Sequence, residues 1–261
     1  LDFASPTIRQ FLYLIAGIVA MFLFALVDFR IWGPMRWLIW IFVIASLATV
    51  FAIGQITHGA QRWIDFGVFL FQPSEISKLL LVIVLAKYMA DHAAQMSRWR
   101  YLAISFGFIA IPLALVYLQP DLGTTIVLAA TWGVMALAAG IKARDVAMIA
   151  AILVVLAPLA WINLRPYQQE RVLSFLDPGR DPLGSGYNVQ QARIAIGSGG
   201  LWGSGYCSGT QSQLRFLRIR QTDFIFSVIG EELGFVGSLF VLGLIAFVLW
   251  RVVRAAMLAR N

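Results

Sequence analysis

Several stretches place ionisable side chains where their type and spacing could do chemistry. In Gln72-Pro73-Ser74-Glu75-Ile76-Ser77-Lys78, Pro73 or Ser74 starts a helix, and Glu75 and Lys78 share a face at i,i+3. Two readings stand: a salt bridge that only holds the helix entrance, or a charged pair lining a cavity. Arg62 lies upstream, in the loop that feeds this helix. Alone, an arginine there reads as a headgroup anchor. In Gln119-Pro120-Asp121-Leu122-Gly123-Thr124-Thr125, Asp121 suits an N-cap that accepts from the Thr124 amide. In Gln221-Thr222-Asp223-Phe224 a carboxylate opens a long apolar run, and a cap is again the plain reading. Glu231-Glu232 falls inside that run, about 12 Å beyond Asp223 at the helical rise. Adjacent side chains point about 100° apart. At least one of the two must therefore find a polar lining or take a proton.

The elements that carry these groups are apolar. Of 261 residues, 60% are hydrophobic and 13% charged, against about 25% charged in a soluble domain. Those figures exclude an ordinary soluble domain, a disordered chain and a coiled coil. Seven apolar runs, at residues 11–27, 37–53, 76–90, 101–118, 122–141, 146–162 and 224–250, are long enough to span a bilayer. In lipid each must be helical, because nothing else satisfies its backbone. Pro112 and Pro158 sit inside runs and predict kinks where a neighbouring helix shields the freed carbonyl. The expected architecture is one all-α polytopic membrane domain over residues 1–261, with one long loop at residues 163–222.

The net charge of +7 reads as topology. Arg30, Arg36, Arg98, Arg100, Lys142, Arg144, Arg251, Arg254 and Arg260 gather on one side of the seven spans, while the short segments opposite hold only Arg9 and Arg62. The basic side is cytoplasmic by the positive-inside rule, which puts the long loop outside. No basic run interleaved with aromatics points to nucleic acid. Cys207 has no cysteine partner, and with His58 and His92 it makes too few ligands for zinc. The chain begins at Leu1 without a signal peptide, and an upstream helix is expected to be missing.

The long loop is rich in Gly, Ser, Pro and Gln. Asp177-Pro178-Gly179 and Asp181-Pro182 are turn signals. Residues 188–196 predict a short interfacial helix with Val189, Ala192 and Ile196 on one face. Gly197-Ser198-Gly199-Gly200 and Gly203-Ser204-Gly205 suit tight turns. Anion binding by their amides is the other reading, although the G-x-G-x-x-G spacing is absent.

In this topology the outer mouth collects Glu75, Asp121 and Asp223 with Arg62 and Lys78. A carboxylate can act as general base toward a hydroxyl, and cations can neutralise a phosphate leaving group. A proton carrier could use the same set. Ser/His/Asp catalysis does not fit, with His58 and His92 on opposite sides. Ser-x-x-Lys is absent, since Ser74 precedes Lys78 by four.

At these residues the sequence resembles the SEDS family, the shape, elongation, division and sporulation proteins RodA and FtsW. The match runs through Gly59-Ala60-Gln61-Arg62-Trp63, Gln72-Pro73-Ser74-Glu75 with Lys78, and Gln119-Pro120-Asp121-Leu122-Gly123-Thr124. It continues through Asp181-Pro182-Leu183-Gly184 to Gly197-Ser198-Gly199-Gly200-Leu201. It ends in Thr222-Asp223-Phe224-Ile225-Phe226 with Gly230-Glu231-Glu232-Leu233-Gly234. Gly209-Thr210-Gln211-Ser212-Gln213-Leu214 looks more like the RodA branch than FtsW.

The resemblance implies a ten-helix fold of which these are the second to eighth helices. It implies a peptidoglycan glycosyltransferase that polymerises lipid II from an undecaprenyl diphosphate anchor during cell elongation. It places this enzyme in the bacterial inner membrane with its active side outward, beside a class B penicillin-binding protein. A lipid II flippase and a scaffold that activates a partner are the alternatives. By the same resemblance Asp223 is the catalytic acid-base group, and Arg62, Glu75, Lys78, Asp121 and Gln211 meet substrate. A divalent cation, Mg²⁺ or Mn²⁺, is implied near Asp223 or Asp121. The sequence departs from many relatives just before Asp223, where Arg218-Ile219-Arg220-Gln221 replaces a Pro-Glu and a His.

Overall fold

The computed structural model describes residues 6–57, 60–66, 70–164, 169–170, 172–173, 177, 186–214, 216 and 223–259. The chain divides into two compact units, Leu1–Ala157 and Pro158–Asn261.

The first unit is built from α1 (Pro6–Leu26), α2 (Arg36–Ile53), α3 (Pro73–Asp91), α4 (Trp99–Leu118), α5 (Leu122–Ala138) and the start of α6 (Ala143–Asn163). Apart from charged residues near their ends these helices are largely apolar, so the packed face is set by periodicity. Ile39, Val43, Leu47 and Val50 are buried in α2, Leu81, Val84, Leu85 and Tyr88 in α3, and Leu128, Trp132 and Ala136 in α5. All follow the three-to-four spacing of one helical stripe. With α4 these stripes form one core. In contrast, α1 buries none of its apolar window.

Among the described residues, α1, α2, α4 and the last helix are long and apolar enough to cross a membrane, and α5 is a shorter apolar helix. Pro112 is buried inside α4. Its ring cannot bond the Phe108 carbonyl one turn back, and the Trp40 indole of α2 donates to that oxygen at 2.8 Å. The shielding neighbour expected from the sequence is thus a hydrogen-bond donor.

The connection from α2 to α3 departs from an all-helical chain. Strands β1 (Gln55–Thr57), β2 (Ala60–Asp65) and β3 (Leu70–Phe71) form a small antiparallel sheet in the order β1-β2-β3. Ile56, Thr57, Trp63 and Ile64 favour strands, and the segment is too short and polar for another span.

The second unit holds the end of α6, then α7 (Tyr187–Ser198), α8 (Thr210–Gln213) and α9 (Ile225–Leu258). The expected loop helix is present as α7, but Ala192 and Ala195 form its buried face and Ile196 is exposed. The expected single span at 224–250 is instead a broken helix. Gly234 has φ +68° and ψ −165° inside α9, a conformation natural only to glycine.

The residues after α7 close this break. Ser204 N donates to Glu231 O at 2.9 Å and Gly205 N to Glu232 O at 3.1 Å. In return Phe235 N donates to Gly200 O at 2.9 Å and Val236 N to Leu201 O at 3.1 Å. Four groups released by the kink, the Glu231 and Glu232 carbonyls and the Phe235 and Val236 amides, therefore find backbone partners, as a membrane segment requires. A Cβ on Gly199 would collide with Gly230 O, and one on Gly203 with Glu232 O. The glycines of this loop thus serve close backbone approach. The Ser204 and Gly205 amides, spent on α9, do not fit the anion-binding reading.

Candidate functional site

In the first unit, the three-residue corner between α4 and α5 is the most densely bonded polar point. Asp121 is the N-cap of α5, accepting from Thr124 N at 3.2 Å and from Thr124 Oγ1 at 2.9 Å. Gln72, the N-cap of α3, donates Nε2 to Asp121 Oδ2 at 3.3 Å and to Ser74 Oγ at 3.0 Å. Arg62, from β2, donates Nε to Gln119 O at 3.4 Å and a terminal nitrogen to Pro120 O. Its other terminal nitrogen lies 3.9 Å from Asp121 Oδ1. Gln119 donates to Leu47 O at 2.9 Å, which ties the corner to α2. Pro120 is held at φ +25°, far from the ring's preferred value near −65°.

Arg62 and Asp121 are therefore brought together. Glu75 and Lys78 form their own pair at 2.8 Å, at side-chain exposures of 55% and 28%. Neither hydrogen-bonds to the Arg62–Asp121 cluster among the described residues. Such an open pair is a weak fastening and leaves the lysine able to change partner. The bonding of Gln72 and Gln119 was missed in the sequence. A signal existed: the two Gln-Pro pairs, Gln72-Pro73 and Gln119-Pro120, both precede helix starts.

In the second unit, Asp223 precedes the N-cap of α9, which is Phe224 and carries no side-chain cap bond. The capping reading of Asp223 is thus not what the structure shows. The helix begins one residue too late for its carboxylate to act as Ncap. That carboxylate is exposed and has no hydrogen bond or ion pair among the described residues. Residues 178–185 and 217–222, which hold part of the family-like loop and the departure before Asp223, lie outside the described residues, as do His58 and Gly59.

Glu231 is 0% exposed. One oxygen accepts from Gln211 N at 2.7 Å and Thr210 Oγ1 at 3.5 Å, and the other from Ser212 N at 3.0 Å. The polar lining that the sequence demanded for one of the paired glutamates is the first turn of α8. Gln211 Oε1 is buried with no hydrogen-bond partner among the described residues.

No group of three or more His, Cys, Asp or Glu among the described residues could hold a metal ion. Asp121 does not fit a cation, since its oxygens face donors and a guanidinium. Asp223 offers a single exposed carboxylate, unbonded among the described residues.

Residues 2–261 match the model of the cell cycle protein family FtsW/RodA/SpoVE. The chain belongs to this family. It is 40% identical over 90% of its length to the peptidoglycan glycosyltransferase MrdB of Escherichia coli K12, of which it covers 64%. It is 35% identical over 95% of its length to the stage V sporulation protein E of Bacillus subtilis, covering 68% of it. Of solved structures, a chain of a peptidoglycan synthase complex, described for coordinating polymerization and crosslinking, matches with a TM-score of 0.77 at 33% identity. That match covers 93% of this chain and 67% of the other. The rod shape determining protein RodA of Thermus thermophilus matches with a TM-score of 0.62 at 27% identity, covering 95% and 65%. The chain thus has the polytopic membrane fold of the FtsW/RodA/SpoVE family and spans under two thirds of the MrdB length.

Proposed function

We propose that the protein is an inverting peptidoglycan glycosyltransferase that polymerises lipid II during cell elongation and rod-shape maintenance. It acts on the outward side of the bacterial inner membrane, with Asp223 as general base. One observation carries the assignment. Asp121 and Glu75 are bonded within the first unit and Glu231 within the second, whereas the Asp223 carboxylate is exposed and bonded to nothing described. The names of the relatives support the reaction class, and the solved synthase complex, which coordinates polymerization and crosslinking, supports a crosslinking partner, for which the family resemblance suggests a class B penicillin-binding protein.

In the reaction, the acceptor sugar hydroxyl attacks the anomeric carbon of the growing glycan. Its proton passes to Asp223, and undecaprenyl diphosphate leaves. An α-linked donor and a β-1,4 product require one inversion, so one base suffices. Lys78 meets diphosphate charge by leaving Glu75, a cheap exchange for an exposed pair. Arg62 adds positive charge, while its donors hold the corner carbonyls. A Mg²⁺ or Mn²⁺ carried by the diphosphate oxygens would neutralise leaving-group charge, with Asp223 left free to take the acceptor proton.

The test is glycan synthesis from labelled lipid II by the protein with its partner. Asp223→Asn should leave thermal stability unchanged, because no cap bond is lost, and should cut polymerisation by about 10²–10⁴. Near-normal polymer from the variant would sink the base assignment. Headgroup translocation without polymer from the wild type would indicate a flippase, and neither activity would indicate a scaffold.

A further inference from the structure

We propose that α7 is the mount that sets the place of Asp223, with Gly199 and Phe224 as positioning residues. The proposal rests on the reading of Asp223 as general base and names what fixes that group.

The Asp223 carboxylate does not hold itself. It is exposed and has no hydrogen bond or ion pair among the described residues, so its place comes from the backbone that carries it. That backbone, residues 225–233, cannot take its direction from the rest of α9. Gly234, at φ +68° and ψ −165°, breaks the helix between them.

Contacts with α7 supply the constraint. Phe224, next to Asp223, and Val228 one turn on pack against the buried Ala192 and Ala195 of α7. Small side chains there bring the two helices close. Past the end of α7, the buried Gly199 lies against Gly230. A Cβ on Gly199 would overlap the Gly230 carbonyl oxygen and lie 3.0 Å from Glu231 Cα. Gly199 has φ −69° and ψ −20°, a helical conformation that any residue adopts. Glycine is therefore required there by the approach to α9 and not by its own backbone. The Glu231 carboxylate, gripping the Gln211 and Ser212 amides, ties the far end of the same half-helix to α8. Contacts at both ends of this short rod fix its direction as well as its place. A general base works only within hydrogen-bond reach of its hydroxyl, and a misplacement of about 1 Å can cost about 10²-fold in rate.

Because the mount acts only through Asp223, disturbing it should lower kcat and spare KM. In glycan synthesis from labelled lipid II, Gly199→Ala should lower kcat about 10–10²-fold and leave KM within about threefold. Gly197→Ala is the control, on α7 itself with nothing within 4 Å of the added Cβ, and should behave as the wild type. Phe224→Leu thins the contact with α7 without a clash and should show the same split in milder form. It carries the test if Gly199→Ala does not fold. The position itself is read from the distance between spin labels on cysteines placed at Asp223 and Leu249, on opposite sides of Gly234, in Cys207→Ser protein. Gly199→Ala and Phe224→Leu should shift or broaden that distance, and Gly197→Ala should leave it unchanged.

An unchanged distance in both Gly199→Ala and Phe224→Leu would overturn the mount. So would a KM that rises in step with the loss of kcat, which marks general distortion of the site. Near-normal polymer from Asp223→Asn would instead overturn the base reading. The spin-label distance needs no activity, and it would still decide whether α7 sets the place of residue 223.

Discussion

Trp40 donates its indole N–H to the Phe108 carbonyl, the oxygen that Pro112 leaves without its helical partner. A proline inside a packed membrane helix is tolerated here because the next helix supplies the missing donor. Trp40→Phe should destabilise the protein by about 1–3 kcal/mol through the unpaired carbonyl. In a Pro112→Ala background the residue 112 amide can take that carbonyl, so the penalty should shrink. Thermal unfolding of the four proteins in detergent forms the cycle, and strict additivity would show that the indole bond does not matter.

The α4–α5 corner should depend on Asp121 more through its acceptor oxygens than through its charge. Asp121→Ala removes the cap and leaves the Thr124 amide, Gln72 and Arg62 without their partner, at a cost of at least about 1–2 kcal/mol. Asp121→Asn keeps one acceptor and should cost less. Equal losses in unfolding experiments would assign the stability to the carboxylate's charge.

Glu75 and Lys78 should couple weakly. The fully buried pair that the sequence left open would lose about 3–5 kcal/mol on removal of one partner. At the observed exposure the coupling in a double-mutant cycle should be at most about 1 kcal/mol. A larger value would mean that the pair is shielded from solvent in the membrane.

Asp91, at the end of α3, bonds Lys87 at 2.6 Å and Arg36 at 2.5 Å. The Lys87 hydrogen bond, and then that of Arg36, hold its pKa below the ordinary carboxylate value. A group depressed in the folded state adds stability above its unfolded pKa, near 3.9. That stability is lost as pH falls through the lower folded value. Unfolding temperatures should therefore fall below about pH 4 by less in Asp91→Asn than in the wild type. Identical acid profiles would remove Asp91 from the acid response.

Much of this was legible in the sequence. Apolar length marked the helices, and Asp121-Leu122-Gly123-Thr124 marked the α5 cap, because both depend on local chemistry. The break at Gly234 was not legible, since it depends on a loop some thirty residues upstream in the chain. The Glu231-Glu232 pair announced a need for polar lining, but its donors came from the Thr210–Gln213 turn, which no local pattern links to it. The capping reading of Asp223 failed by one residue, within the ordinary uncertainty of a helix start. The small β1-β2-β3 sheet was hidden because β1 and β3, at three and two residues, are too short to show an alternating pattern.

The closure of the Gly234 break joins main chain to main chain, with no ionisable atom among its four hydrogen bonds. Its strength should therefore be indifferent to acid and to salt, whereas the Arg36–Asp91 and Glu75–Lys78 contacts weaken under one or the other. The protein thus carries fastenings of two kinds, one titratable and one inert. Protection of the Ser204, Gly205, Phe235 and Val236 amides, corrected for intrinsic exchange, should be the same at low and high ionic strength. Acid below about pH 4 would then loosen the Asp91 ion pairs of the first unit while leaving the kink of α9 closed.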